Sequence, residues 1–203
     1  MYIAEINLAT DHQEITDFIT KYSFGTIVTA VENNANASHL PFVVYQRNGK
    51  TILTAHFAKA NAQWKELINR EVLVIFAEPH AYISPKYYDK ELNVPTWNYI
   101  AVHAYGKAKL IQEEHAVIEV LERTINNYET EYMDQWNRLP GDYKTKMAKG
   151  IVAFEIEVDY FRASKKLSQN KNEAEKQRII KALSESLNQA DQEISRYMAK
   201  EKW

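Results

Sequence analysis

The chain has 203 residues, 45% of them hydrophobic and 26% charged, enough to enclose a sizeable core around one domain with an appendage. Its 25 basic and 27 acidic side chains leave a formal charge of −2, so no whole-molecule field draws it onto DNA or anionic lipid. Cysteine is absent, which excludes disulfides, thiolate metal sites and cysteine nucleophiles; with no run near the roughly 18 apolar residues of a bilayer span and no secretory-signal layout at the start, the expectation is a cytoplasmic protein without a membrane partner.

In chain order, Ile15, Phe18, Ile19 and Tyr22 recur at helical spacing and Thr10 with Gln13 has capping-box spacing, so residues 11–22 read as a surface helix. The runs GTIVTAV, SHLPFVVYQ, TILTAHF and EVLVIFA then read as four strands separated by the turn-formers NNAN and RNGK. Between the last two, KANAQWKELINR is helix-prone. A long extended segment from Thr96 to Ile111 precedes an amphipathic helix over 113–129, and another helix follows Pro140 and stops at Gly150. FEIEVDYF alternates as a half-buried strand. Beyond Asn172 a narrow stripe of Ile179, Ile180, Leu183 and Leu187 marks a helical arm in need of a surface to pack on. The fold class is therefore α+β, a closed or split antiparallel barrel over 1–170 with peripheral helices, and a helical extension over 171–203 packed on the barrel or on a dimer partner.

Four histidines, His39, His56, His80 and His103, fall on or beside predicted strands, but their spacing fits no metal motif and no metal is expected. The dinucleotide, P-loop, nucleophile-elbow and zincin motifs are all missing. In HFAKANAQW a strand turns into a helix, where Lys59 supplies charge, Asn61 an amide and the opening turn free N–H groups, a seat suited to phosphate. The same donors occur at any such junction, and a lone lysine is usually just solvated. In TWNYIAVHAYG, residues Thr96, Trp97, Asn98 and Tyr99 set a flat aromatic surface beside amide and hydroxyl groups, suited to a planar heterocycle, or equally to a core with satisfied polar tips. In KKLSQNKNEAE, residues Lys165, Lys166, Ser168, Gln169 and Asn170 crowd a strand-to-helix junction with donors, though Asn170 with Glu173 also has the spacing of an ordinary helix cap.

Taken together, SHLP at 38–41, HFAKANAQW at 56–64, VIFAEPHAYISP at 74–85, VPTWNYIAVHAYG at 94–106 and KLSQN at 166–170 closely resemble the PaiB family, described as FMN-binding negative transcriptional regulators, over about residues 1–185. The resemblance implies an FMN-binding split β-barrel acting as a homodimer. It places Ser38, His39 and Leu40 near the flavin ring and Thr54, His56, Lys59, Ala60 and Asn61 near the ribityl chain and phosphate. Thr96, Trp97 and Asn98 approach with Lys166, Ser168 and Gln169, Trp97 and Asn98 coming from the partner subunit. This chain departs from the family pattern at Glu78 for glycine, Lys86 and Tyr87 for Ser-Trp, Lys59 for arginine and Ala62 for proline. Lysine keeps the charge of arginine but loses its bidentate fork, and a carboxylate near a dianionic phosphate is repelled unless it points to solvent.

The regulator reading meets no helix-turn-helix, zinc finger or basic segment, so direct DNA contact is expected to be weak or absent, with the lysine-rich 165–181 the region able to touch phosphates. The alternatives are an FMN-dependent oxidoreductase or flavin reductase and, lowest, a haem-binding or haem-degrading protein using His39, His80 or His103 as axial ligand.

Overall fold

In the computed structural model, which describes residues 1–68 and 70–200, the β-rich runs form antiparallel strands and the polar segments between them short helices. A 3-10 turn (Glu5–Asn7) leads to β1 (Leu8–Ala9), α1 (His12–Lys21), β2 (Phe24–Val31), β3 (Asn34–Pro41), β4 (Val43–Arg47) and β5 (Lys50–Ala58). A 3-10 helix (Ala62–Leu67) follows, then β6 (Glu71–Phe76), β7 (His80–Ile83), a 3-10 turn (Pro85–Tyr87) and β8 (Thr96–Ile111). The rest is α2 (Glu114–Tyr128), α3 (Tyr132–Arg138), α4 (Gly141–Lys149), β9 (Ile151–Lys166), α5 (Glu173–Ser184) and α6 (Gln189–Lys200).

Contacts divide the chain into two units, residues 1–15, 77–102 and 162–203 in one and 16–76 with 103–161 in the other; β8 and β9, 16 residues each, contribute to both. In the second unit the strand order is β3-β2-β6-β8-β9-β5-β4. Its hairpin turns are built by positive φ at Glu32 (50°) and Asn33 (66°), and at Asn48 (53°) and Gly49 (77°). Two successive left-handed residues match the right-handed twist of the flanking strands; RNGK turns at Asn48–Gly49 as expected, whereas the turn expected at NNAN falls at Glu32–Asn33, and Asn34 to Asn36 already belong to β3. Phe42, Phe57, Phe76 and Phe154 are fully buried with Ile27, Ile52, Leu53 and Ile156, and the Phe57 and Phe154 rings stack at 5.2 Å. A second cluster sets Val117 and Val120 of α2 against Ala148 and Ala153.

In the first unit β1 pairs with the end of β9, and β7 pairs with the start of β8 in the register His80↔Tyr99 to Ile83↔Thr96. α5 and α6 pack together and bury Ile179, Leu183, Ile194 and Met198. Thus the apolar stripe of α5 is covered by a second helix, and Leu187, expected on that stripe, lies in the connection and is fully exposed.

Several local expectations are corrected. SHLPFVVYQ is two strands, because Pro41 ends β3 and Phe42 turns into the core with its N–H on the Ser23 carbonyl (2.8 Å). α1 is capped by Asp11, whose Oδ1 accepts the Glu14 N–H at 2.9 Å, not by Thr10. α5 is capped by Asn172 with Glu175 in a full capping box, not by Asn170 with Glu173. Both rejected pairs have the same spacing as the pairs used, so spacing alone cannot choose between them. Among the described residues no helix is long and apolar enough to cross a membrane.

Candidate functional site

The predicted residues fall into two groups, one in each unit. The first, Ser38 to Asn61, sits on β3, β5 and the turn after β5. Alternation along β3 sends Ser38 and Leu40 to one face and His39 to the other. Ser38 belongs to a buried network centred on Gln63: its Oγ donates to Gln63 Oε1 (2.6 Å) and accepts from Asn61 Nδ2 (2.9 Å). Asn61 also caps the 3-10 helix, its Oδ1 accepting the Gln63 N–H at 3.1 Å. The cap makes a proline at position 62 unnecessary for starting that helix. His39 is exposed, its Nδ1 2.9 Å from Thr26 Oγ1 and its ring stacked beside Phe24.

Thr54 and His56 share a face of β5. Thr54 is 2% exposed, and its Oγ1 has no hydrogen-bond partner among the described residues. A buried hydroxyl left without a hydrogen bond costs about 1–3 kcal/mol, and no described residue offsets that cost at Thr54. Lys59 and Ala60 are exposed in the turn; the Lys59 N–H donates to the Gly150 carbonyl at 2.9 Å, while its ammonium makes no ion pair among the described residues. Lys59 lines a pocket of about 400 Å³ with Trp64, Val117, Lys149 and Ile151.

Burial holds the His56 imidazole below the ordinary histidine range, so it is neutral at neutral pH and leaves Lys59 to supply positive charge. Because the unfolded chain binds that proton more readily, folding stability is retained above about pH 6.5 and is lost as pH falls through that value, levelling once the folded histidine is also protonated. Thermal midpoints measured from pH 8 to 5 are expected to drop on the acid side, and His56→Gln to flatten that drop; an unaltered profile in the variant refutes the assignment.

The second group joins β8 to the end of β9. Lys166 Nζ donates to Thr96 Oγ1. Trp97 is 52% exposed, its ring 5.8 Å from both Tyr82 and His80. Asn98 points the other way and is fully buried: Oδ1 accepts from Ser168 Oγ (3.1 Å) and Nδ2 faces Met198 Sδ (3.4 Å). Ser168 is held at φ 62°, a left-handed conformation unusual for a serine. Gln169 closes that turn, Oε1 accepting the Leu167 N–H at 2.7 Å and Nε2 donating to the Lys165 carbonyl. Asn98, Ser168 and Gln169 therefore spend their polar atoms on shaping the turn. Glu78 is exposed, the one placement in which its charge does no harm.

Three residues outside the predicted set stand out: Gln63, which organises Ser38 and Asn61, and Tyr88 and Lys171, which line a pocket of about 420 Å³ with Thr96 and Lys166. Gln63 and Lys171 had local signals, in HFAKANAQW and in KKLSQNKNEAE; Tyr88 had none.

The sheet order and paired hairpins define a split-barrel fold of the flavin-binding type. The FAD and haem binding protein from Mycobacterium smegmatis superposes with a TM-score of 0.63 at 12% identity over 79% of this chain and 73% of that one. The flavocytochrome Anf3 from Azotobacter vinelandii superposes with 0.62 at 14% identity over 78% and 69%. At these identities the likeness speaks for the fold. The chain belongs to the family described as "Putative FMN-binding domain", which matches residues 1–160, and FMN is the cofactor of that family. Consistent with the PaiB resemblance, the protease synthase and sporulation protein PAI 2 of Bacillus subtilis is 38% identical over 202 residues, 98% of this chain and 96% of that protein.

Proposed function

We propose that this is a cytoplasmic, homodimeric FMN-binding regulator of the PaiB type, acting negatively on transcription without gripping DNA itself. The phosphate is held by Lys59, Thr54 and the remaining Asn61 N–H near Ala60 and neutral His56; Ser38, His39 and Leu40 border the ring. Trp97 of the second protomer, backed by Thr96, Asn98, Lys166, Ser168 and Gln169, covers the flavin. The observation that carries the cofactor placement is the buried Thr54 hydroxyl, two residues before His56 and five before Lys59, with neither that hydroxyl hydrogen-bonded nor the lysine ion-paired among the described residues. When bound, FMN supplies electron and hydride transfer, and these residues only bind and orient it. Half-exposed Trp97 and Tyr82, with Leu92 and Val94 also exposed, give the apolar surface a dimer partner would cover.

The purified protein is expected to be yellow with flavin absorbance and to scatter light as a dimer of 23.6 kDa chains. Lys59→Ala removes a charge-assisted contact worth about 1.5–3 kcal/mol, so FMN affinity falls roughly tenfold or more while riboflavin affinity is unchanged. Trp97→Ala, losing about 0.5–1.5 kcal/mol of stacking, weakens both flavins severalfold. Unchanged FMN affinity in both variants sinks the placement. Turnover of NADPH by the FMN-loaded protein would instead favour a flavin-dependent reductase, for which the 420 Å³ pocket has room.

A further inference from the structure

Tyr88 follows the 3-10 turn Pro85–Tyr87 and is 9% exposed, yet its hydroxyl has no hydrogen-bond partner among the described residues. The ammonium of Lys171 lies 3.5 Å from the centre of the Tyr88 ring and donates to Asn93 Oδ1 at 3.3 Å. Tyr88, Asn93 and Lys171 line the same pocket as Lys166, a space of about 420 Å³ contained within one unit. Its described lining holds two lysines and no acidic residue. The carboxylate that does influence Tyr88, Glu175, has both oxygens engaged, Oε1 by the Asp89 N–H (2.9 Å) and Oε2 by the Asn172 N–H (3.2 Å). Burial first, then Glu175 and Tyr82, hold the phenol above its ordinary range, so at neutral pH it is a proton donor.

A pocket with two ammonium groups, a spare phenolic donor and no opposing carboxylate is built for negative charge. We propose that it binds a small molecule through an oxyanion, a carboxylate or a phosphate, with Lys171 supplying the charge and Tyr88 a directional hydrogen bond. Tyr88, Asn93 and Lys171 are not among the residues assigned to the flavin, but Thr96, Asn98, Lys166, Ser168 and Gln169 of the same lining are, so the proposal rests on the FMN reading and its test is made on the FMN-loaded protein to separate the two. Cation–π contact with Tyr88 and the Asn93 amide fix the Lys171 ammonium in advance, which spares the ligand the cost of ordering a free lysine.

The test uses the full-length, FMN-loaded protein labelled with ¹⁵N and titrated separately with inorganic phosphate and with acetate. Saturable shifts of the Tyr88, Asn93 and Lys171 amides are expected with at least one, and the ion that saturates lower names the source. Lys171→Ala should raise the midpoint about tenfold. Tyr88→Phe should raise it severalfold without lowering the thermal midpoint, because the hydroxyl it removes supports nothing in the fold. Absence of saturable shifts with both ions overturns the proposal, as does a wild-type titration in Lys171→Ala or a destabilised Tyr88→Phe. Anion binding seen only in the FMN-free protein also overturns it, since the pocket would then belong to the phosphate of the flavin.

Discussion

Gln63→Leu is expected to lower stability by about 3 kcal/mol and to weaken FMN binding in the same variant. Leucine matches glutamine in size, so it opens no cavity, and the loss comes from polar groups left behind. Gln63 is 1% exposed; its Oε1 accepts the Ser38 hydroxyl at 2.6 Å and its Nε2 faces Thr29 Oγ1 (3.1 Å), the Asn36 carbonyl (3.1 Å) and the Ile27 carbonyl (3.3 Å). Each buried group stripped of its partner costs about 1–3 kcal/mol. For a chain of this length each kcal/mol shifts the thermal midpoint by roughly 2–4 °C, so a fall of about 6–12 °C is the reading in a melt.

The functional half follows from geometry. Gln63 and its N–H hold Ser38 and Asn61 in place, so under the proposed FMN placement releasing Ser38 loosens both ends of that site. Ser38→Ala is the control: it removes one partner and keeps the remaining Gln63 bonds, so it should cost less stability than Gln63→Leu. A Gln63→Leu melt within 1 °C of wild type would show that the network supports neither fold nor site.

That network marks where the sequence stops being readable. β8 appears with the bounds expected for it, Thr96–Ile111, and α4 lies between Pro140 and Gly150, because pattern and punctuation are local signals. Gln63 instead meets partners 25 to 36 positions away, and no periodicity reports such contacts. β7 was hidden for a related reason: four residues are too few to show alternation, and the strand exists because Thr96–Tyr99 pairs with it. Leu187 looked like one more rung of a helix, but α5 stops at Ser184 and a second helix covers its stripe. Within the motifs, strand alternation, which splits His39 from Ser38 and Trp97 from Asn98, decides which of the candidate residues remain exposed.

Gly106→Ala is expected to be as damaging, by a different route. Gly106 lies within β8, and a Cβ built there would stand 2.2 Å from the Glu157 carbonyl oxygen and 2.9 Å from Ile156 Cγ2. The nearer obstacle is backbone, so no rotamer change relieves it. β9 cannot retreat cheaply either, because Ile156 and Glu157 are paired in register with Leu53 and Ile52 of β5, and Glu157 is salt-bridged to Lys50. Moving β9 therefore drags β5, the strand that carries Thr54 and His56. Overpacking of this kind costs about 1–3 kcal/mol, occasionally more, and a fixed backbone obstacle puts this case at the upper end. Gly25→Ala gives the contrast: its Cβ would meet Phe76 at 2.8 Å and Val74 at 3.2 Å, both side chains. Urea midpoints should rank wild type above Gly25→Ala and Gly25→Ala above Gly106→Ala, with FMN affinity falling in the last as β5 shifts. A Gly106→Ala protein as stable as wild type would mean that β8 and β9 are not held this close.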